Sequence, residues 1–253
     1  IGLAVDDDSL IRTLLRHGIA VVRDDEHLLQ RSEVARRIER GIFRNARLIE
    51  ARVRDVPEQQ SARIERRTGR HDLILILDEI QCGMGRTGSM FTWQSYGIRP
   101  DIMSMAKAIG NGIPVGAFAM TEEVAEFSMK AGDHGSTYGG NPLACAAAVK
   151  VFELFDSLKV LDNVKEVGAY LASELDKIVA EYDIATERRG MGLIQGLQLS
   201  VNPKDVIANA LDNGLILFSA GTNVIRFVPP LVITKADVDE MIVRLKKSLD
   251  SCR

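Results

Sequence analysis

The chain has 253 residues, 46% of them hydrophobic, enough to bury a sizeable core in one large domain or two modest ones. A formal charge of -3 argues against a general nucleic-acid or membrane-surface role, and no apolar run reaches the ~18 residues that span a bilayer. Three widely spaced cysteines, Cys82, Cys145 and Cys252, exclude a paired disulfide framework. With no basic, apolar leader in "IGLAVDDDSL", they point to a reducing cytoplasm, and the four scattered histidines show no metal-ligand spacing.

Residues 1–71 stand apart in composition. They hold 15 Arg and no Lys, against 7 Arg and 10 Lys from Asp72 onward. The spacing of Val34, Ile38, Ile42, Leu48, Ile49 and Val53 predicts a charge-laced helix within residues 32–55, and no catalytic motif occurs there.

Past this seam, Leu73 to Leu77 are five consecutive aliphatic residues, the pattern of a parallel strand covered on both faces. Asp78 ends the run. Ligands of open α/β sheets bind beyond the carboxyl ends of strands, so Asp78 is placed either to meet a cofactor or simply to cap the strand. Gly83, Gly85 and Gly88 then fit G-x-G-x-x-G, which opens a reading as a nicotinamide-dependent oxidoreductase. That fingerprint needs its glycines at the strand-to-helix turn, yet five residues separate Gly83 from Leu77, and "SMFTWQSYGIRPD" behind them has no helical apolar face. An irregular loop is expected instead.

"IRPDIMSMAK" predicts a second buried strand with Lys107 at its far end, so that Asp78 and Lys107 leave the sheet on the same side. In a dry setting a lysine loses its proton more readily, and the neutral amine can attack an aldehyde to give a Schiff base; a lone strand-end lysine otherwise snorkels to water. "HGSTYGGNPLACAAAVKVFELF" joins a glycine-rich turn to a helix with Asn141 as N-cap and Pro142 at its first position. The turn offers the hydroxyls of Ser136 and Thr137 and the unhindered amides of Gly135, Gly139 and Gly140, which suit a phosphate or a plain turn. An acid, a lysine and a hydroxyl-bearing glycine loop are together what pyridoxal phosphate requires.

The carboxyl-terminal part reads as a compact α/β lobe. Leu161, Val164, Val167, Leu171, Leu175 and Ile178 form a helical stripe between about Leu158 and Tyr182. "GLIQGLQLS", "LILFSA" and "NVIRFVP" read as short strands, interleaved with helices that begin at Asn202-Pro203 and at Thr234, where Asp237 lies three residues on.

Five ordered motifs, "LDEIQCGMGRTG", "DIMSMAKAIGNGIPVGA", "GDHGSTYGGNPLACAAA", "RGMGLIQGLQL" and "NVIRFVPPLVIT", resemble the class III aminotransferases of the fold-type I pyridoxal phosphate enzymes. The resemblance implies an α/β fold in which residues 72–155 form part of a large, mainly parallel-sheet cofactor domain and residues 156–253 a smaller C-terminal α/β domain. It implies that Lys107 binds the cofactor covalently and later moves the substrate proton, while Asp78 keeps the pyridine nitrogen protonated. By the same resemblance Ile80 packs on the ring and Gln81 bonds near its phenolic oxygen. Ser136 and Thr137 bind the phosphate of a neighbouring subunit's site in a homodimer, and Arg226 grips the substrate's α-carboxylate. The implied reaction moves an amino group between N-acetylornithine, or a related ω-amino donor, and 2-oxoglutarate, in arginine biosynthesis.

The family also carries, upstream of the Asp78 motif, a phosphate-cradling glycine-serine loop, a ring-stacking aromatic and a glutamate near the cleft. None of these is found in residues 1–71, which are expected not to be family sequence, as a shifted frame, a fusion or a truncation would produce. A catalytically incomplete remnant is the competing expectation.

Overall fold

The aliphatic run after the seam forms the strand expected of it. In the computed structural model, which describes residues 19–22, 74–122, 124–125 and 135–252, strand β2 spans Ile74–Asp78. The helix expected within residues 32–55 lies outside the described residues. The chain divides into two compact units, residues 1–84 with 91–157, and residues 85–90 with 158–253.

In the first unit, β1 (Ile19–Val22) pairs parallel with β2, and β2 pairs parallel with β3 (Ile102–Met105). Strand β4 (Ala117–Met120) closes the sheet antiparallel to β3. Successive side chains of β2 go to opposite faces, and both faces are covered, which is why the strand reads as a continuous apolar run rather than an alternating one. Leu75 and Leu77 pack with Ile98, Trp93 and Tyr96, whereas Ile76 packs with Ile102 and Val124. Asp101 ties in the start of β3, its carboxylate accepting from the Leu75 amide at 2.7 Å.

Between β2 and β3 lies a series of turns and then a four-residue helix, α1 (Thr92–Ser95). The glycines of the G-x-G-x-x-G match fall within these turns, with Gly85 and Gly88 at positive φ, so they do not form a strand-to-helix phosphate turn. Helix α1 was not legible as a helix, since four residues cannot display an apolar stripe. After β4 comes α2 (Pro142–Ser157), whose N-terminus has the expected cap: Asn141 Oδ1 accepts from the amides of Leu143 and Ala144 at 3.0 and 3.2 Å.

The second unit is a four-stranded antiparallel sheet in the order β5 (Ala185–Met191), β6 (Ile194–Leu199), β8 (Val224–Phe227), β7 (Phe218–Ala220), with helices α3 (Val160–Glu181), α4 (Pro203–Asp212) and α5 (Lys235–Asp250). Val164, Val167, Leu171, Leu175 and Ile178 line the buried face of α3 at three- and four-residue spacing. Leu161, expected in that stripe, is half-buried, and Val160 is buried instead. The helix starts there because Lys159, in the left-handed conformation, turns the chain into it. Leu193, Leu197, Ile225, Leu245 and Leu249 complete a fully buried core. "LILFSA" forms only the three-residue strand β7: the Leu215 amide closes the end of α4 on the Ala210 carbonyl, which keeps Leu215 out of the ladder.

Helix α5 opens on the expected capping box. Thr234 Oγ1 accepts from the Asp237 amide, and the Asp237 carboxylate accepts from the Thr234 amide at 2.7 Å and its hydroxyl at 2.8 Å. The backbone bond, followed by the hydroxyl bond, holds the Asp237 carboxyl below its ordinary range. A depressed folded value means the stabilisation is present above the unfolded pKa and is lost as pH falls through the folded one. The stability advantage of the chain over its Asp237→Asn variant should therefore be full at neutral pH and vanish in acid, as followed by denaturant unfolding.

Among the described residues, no helix is long and apolar enough to cross a membrane.

Candidate active site at the carboxyl ends of the parallel strands

Two parallel neighbours in register bring their carboxyl ends to one edge of the sheet, and here both ends carry functional groups. Asp78, the last residue of β2, pairs with Ser104 of β3, and Lys107 follows three residues later. The Glu79 amide extends this pairing by donating to the Ser104 carbonyl at 3.0 Å. The amine and the carboxylate thus emerge from adjacent strands at the same end of the sheet, where open α/β sheets take their ligands.

Lys107 begins a 3-10 turn, Lys107–Ile109, with φ of 47°, a conformation rare outside glycine. Such backbone strain concentrates at functional positions. The expectation of a dry setting is not met, since Lys107 is exposed: β3 ends at Met105, and the turn lifts the residue out of the ladder. The Asp78 carboxylate is half-buried and accepts from the Ile80 amide at 2.9 Å, which fixes its direction. Ile80 and Gln81, both half-buried, lie in the turn that follows.

Ser136 and Thr137 stand exposed in the turn ahead of α2. Ser136 Oγ accepts from the Gly139 amide at 2.9 Å, so its hydroxyl also serves the turn. Arg226 belongs to the second unit, half-buried on β8, in register with Gly196 on one side and Phe218 on the other. The sequence-predicted residues therefore form three groups: Asp78, Ile80, Gln81 and Lys107 at the strand ends, Ser136 and Thr137 before α2, and Arg226 on the second sheet.

Two residues escaped the sequence reading. Glu79, only 2% exposed, anchors the turn after Asp78, and the signal available was an acid next to an acid. Arg86 is the other. Its guanidinium donates to the carbonyls of Leu193 and Pro229, three residues beyond Arg226, and burial lowers its pKa to about 10. The Leu193 amide returns a bond to the Arg86 carbonyl at 3.0 Å.

The donor set fits pyridoxal phosphate. A primary amine suits the aldehyde, a carboxylate at the neighbouring strand end suits the pyridinium nitrogen, and hydroxyls before a capped helix suit the phosphate.

Comparison with known proteins agrees with this chemistry. The family profile for aminotransferase class-III matches residues 53–249, and the chain belongs to that family. The match begins inside the Arg-rich segment. The chain is 43% identical over 171 residues to the acetylornithine aminotransferase of Methanocaldococcus jannaschii, covering 68% of this chain and 43% of that protein. It is 46% identical over 177 residues to the acetylornithine aminotransferase of Gloeobacter violaceus, covering 69% and 44%. The chain thus spans less than half the length of these curated relatives.

Among solved structures, the acetylornithine aminotransferase from Elizabethkingia anophelis superposes with a TM-score of 0.72 at 29% identity, over 77% of this chain and 52% of that one. The ornithine aminotransferase from Toxoplasma gondii, which has partial occupancy of PLP at its active site, gives a TM-score of 0.71 at 32% identity over 75% and 46%. These likenesses bear out the fold-type I α/β expectation.

Proposed function

We propose that this chain belongs to a cytoplasmic, pyridoxal phosphate-dependent aminotransferase that moves an amino group between N-acetylornithine, or a related ω-amino donor, and 2-oxoglutarate, in arginine biosynthesis. The observation that carries the reading is the placement of Asp78 and Lys107 at the ends of adjacent parallel strands. The identity to acetylornithine aminotransferases supports the choice of donor.

When bound, the cofactor supplies an aldehyde that captures amino groups and an electron-poor ring that accepts an electron pair released at carbon. Lys107 would hold that aldehyde, and its amine, once free, would act as the base that moves a proton between the amine-bearing carbon of the substrate and the cofactor. The Asp78 carboxylate, aimed by its bond from the Ile80 amide, would keep the ring nitrogen protonated by charge pairing. Ile80 would cover one face of the ring, and Gln81 would donate near its phenolic oxygen. Arg226 binds the substrate carboxylate as a planar, permanently charged fork.

Ser136 and Thr137 serve the phosphate of the neighbouring protomer in a homodimer. Their exposure supports this role, as do the exposed apolar side chains that follow them in sequence: Tyr138 is 84% exposed, and Leu143 and Val149 of α2 are 70% and 59% exposed. A surface of this kind favours cover by a partner. The chain should sediment as a dimer, and Val149→Glu should weaken the association by about tenfold or more, because a carboxylate would be desolvated at the contact.

The decisive experiment uses the cofactor's colour. The chain mixed with pyridoxal phosphate should gain a visible absorbance band that borohydride erases, and peptide mapping should place the reduced adduct on Lys107. Among N-acetylornithine, ornithine and 4-aminobutyrate, the first should discharge the band fastest. A chain that takes up no cofactor, as an incomplete remnant would, or one that carries it on another lysine, overturns the proposal.

A further inference from the structure

Glu79 is buried beside the site, yet the chemistry above gives it no task. Consecutive strand residues point to opposite faces, and here Asp78 stays half-exposed while Glu79 turns inward to 2% exposure. A buried carboxylate is costly unless hydrogen-bonded. Glu79 Oε1 accepts from the Trp93 amide at 2.9 Å, and Oε2 accepts from the Thr92 amide at 2.9 Å and from the Cys82 thiol at 3.4 Å. Its main chain is engaged on both sides as well, through the Ser104 carbonyl and the Gly83 amide, each at 3.0 Å.

One residue therefore joins four pieces: the end of β2, the strand that leads to Lys107, the turn bearing Ile80 and Gln81, and the first amides of α1. A Cβ on Gly83 would lie 3.0 Å from the Glu79 Cβ and 3.2 Å from Oε2, so the turn is closed tightly over this side chain. Asp78 takes its direction from the Ile80 amide, and Ile80 sits in the turn that Glu79 anchors.

We infer that Glu79 is a positioning residue, which sets the direction of the Asp78 carboxylate by pinning the following turn to the start of α1. The inference rests on the aminotransferase reading and deepens it. Glu79 touches neither substrate nor cofactor and acts through Asp78, Ile80 and Gln81.

The test is Glu79→Gln, which preserves shape but turns an N–H donor toward a backbone amide that is itself a donor. The variant should keep the far-ultraviolet circular dichroism of the unaltered chain and bind pyridoxal phosphate about tenfold more weakly. The shape of the bound visible band should change, and kcat should fall while KM for the amino donor stays the same. A merely structural role would move neither band shape nor the kcat-to-KM balance. Cys82→Ala, which withdraws one donor and leaves both amides in place, should shift the band in the same sense but less, and it decides the matter if Glu79→Gln fails to fold. Binding and band shape unchanged in Glu79→Gln, or in Cys82→Ala should that variant have to decide, overturn the inference alone. If the unaltered chain shows no borohydride-sensitive band, the aminotransferase reading falls and takes the inference with it.

Discussion

Lys107→Arg should abolish borohydride-trapped cofactor entirely and lower transamination by about 10,000-fold, the upper range for loss of a positioned acid-base group. Arginine keeps the positive charge and most of the length, but its guanidinium is never deprotonated in proteins, so it neither condenses with an aldehyde nor collects a proton from carbon. The exchange should leave the fold intact. Lys107 is exposed at the start of a short turn, and any side chain with a Cβ bears similar strain at its φ of 47°. Melting temperature and oligomeric state should accordingly match the unaltered chain, which separates lost chemistry from lost structure. An arginine variant that still discharges an amino donor at more than a hundredth of the normal rate would contradict the assignment of Lys107.

Gly168→Ala should destabilise the second unit by about 2 kcal/mol, although helix propensity alone assigns it the opposite sign. In an exposed helix the substitution gains about 1 kcal/mol. Here a Cβ on Gly168 of α3 would lie 2.6 Å from the Gly192 carbonyl carbon and 2.7 Å from its Cα and oxygen, all backbone atoms. Gly192 has no room to retreat: its own added Cβ would come within 2.7 Å of the Arg86 carbonyl oxygen and the Thr87 carbonyl carbon. Three backbone segments are thus stacked at glycine spacing, and overpacking such a contact costs more than propensity returns. Denaturant unfolding of the variant should show a lower midpoint with an unchanged slope. A higher midpoint would mean that the stack yields.

Where the fold is governed by near neighbours in sequence, the residues announced it. The Asn141-Pro142 and Asn202-Pro203 helix starts and the Thr234–Asp237 box depend on contacts within four residues, and each appears where expected; the aliphatic run before Asp78, though paired with distant strands, announced itself by being apolar on both faces. Strand β5 was harder to see, because Thr186 and Glu187 are exposed and no apolar alternation marks it; antiparallel pairing with β6 makes it a strand.

Helix α1 is started from outside, by a carboxylate 13 residues before Thr92, and no local window contains that cause. The site shows the same division. The types and order of Asp78, Lys107, Ser136, Thr137 and Arg226 were legible, whereas the register that aligns Asp78 with Ser104 and the anchoring by Glu79 and Arg86 arise only from tertiary contact.

Residues 85–90 belong structurally with residues 158–253, which gives the second unit a history as well as a shape. On the ribosome this six-residue strip emerges long before the sheet it fits, and at ordinary elongation speeds it waits on the order of ten seconds for Leu193 and Pro229 to be made. A fragment cut to begin at Leu158 would lack the guanidinium that meets those carbonyls and the main chain that lies against Gly192. Supplying the strip as a separate peptide should restore what the cut removes.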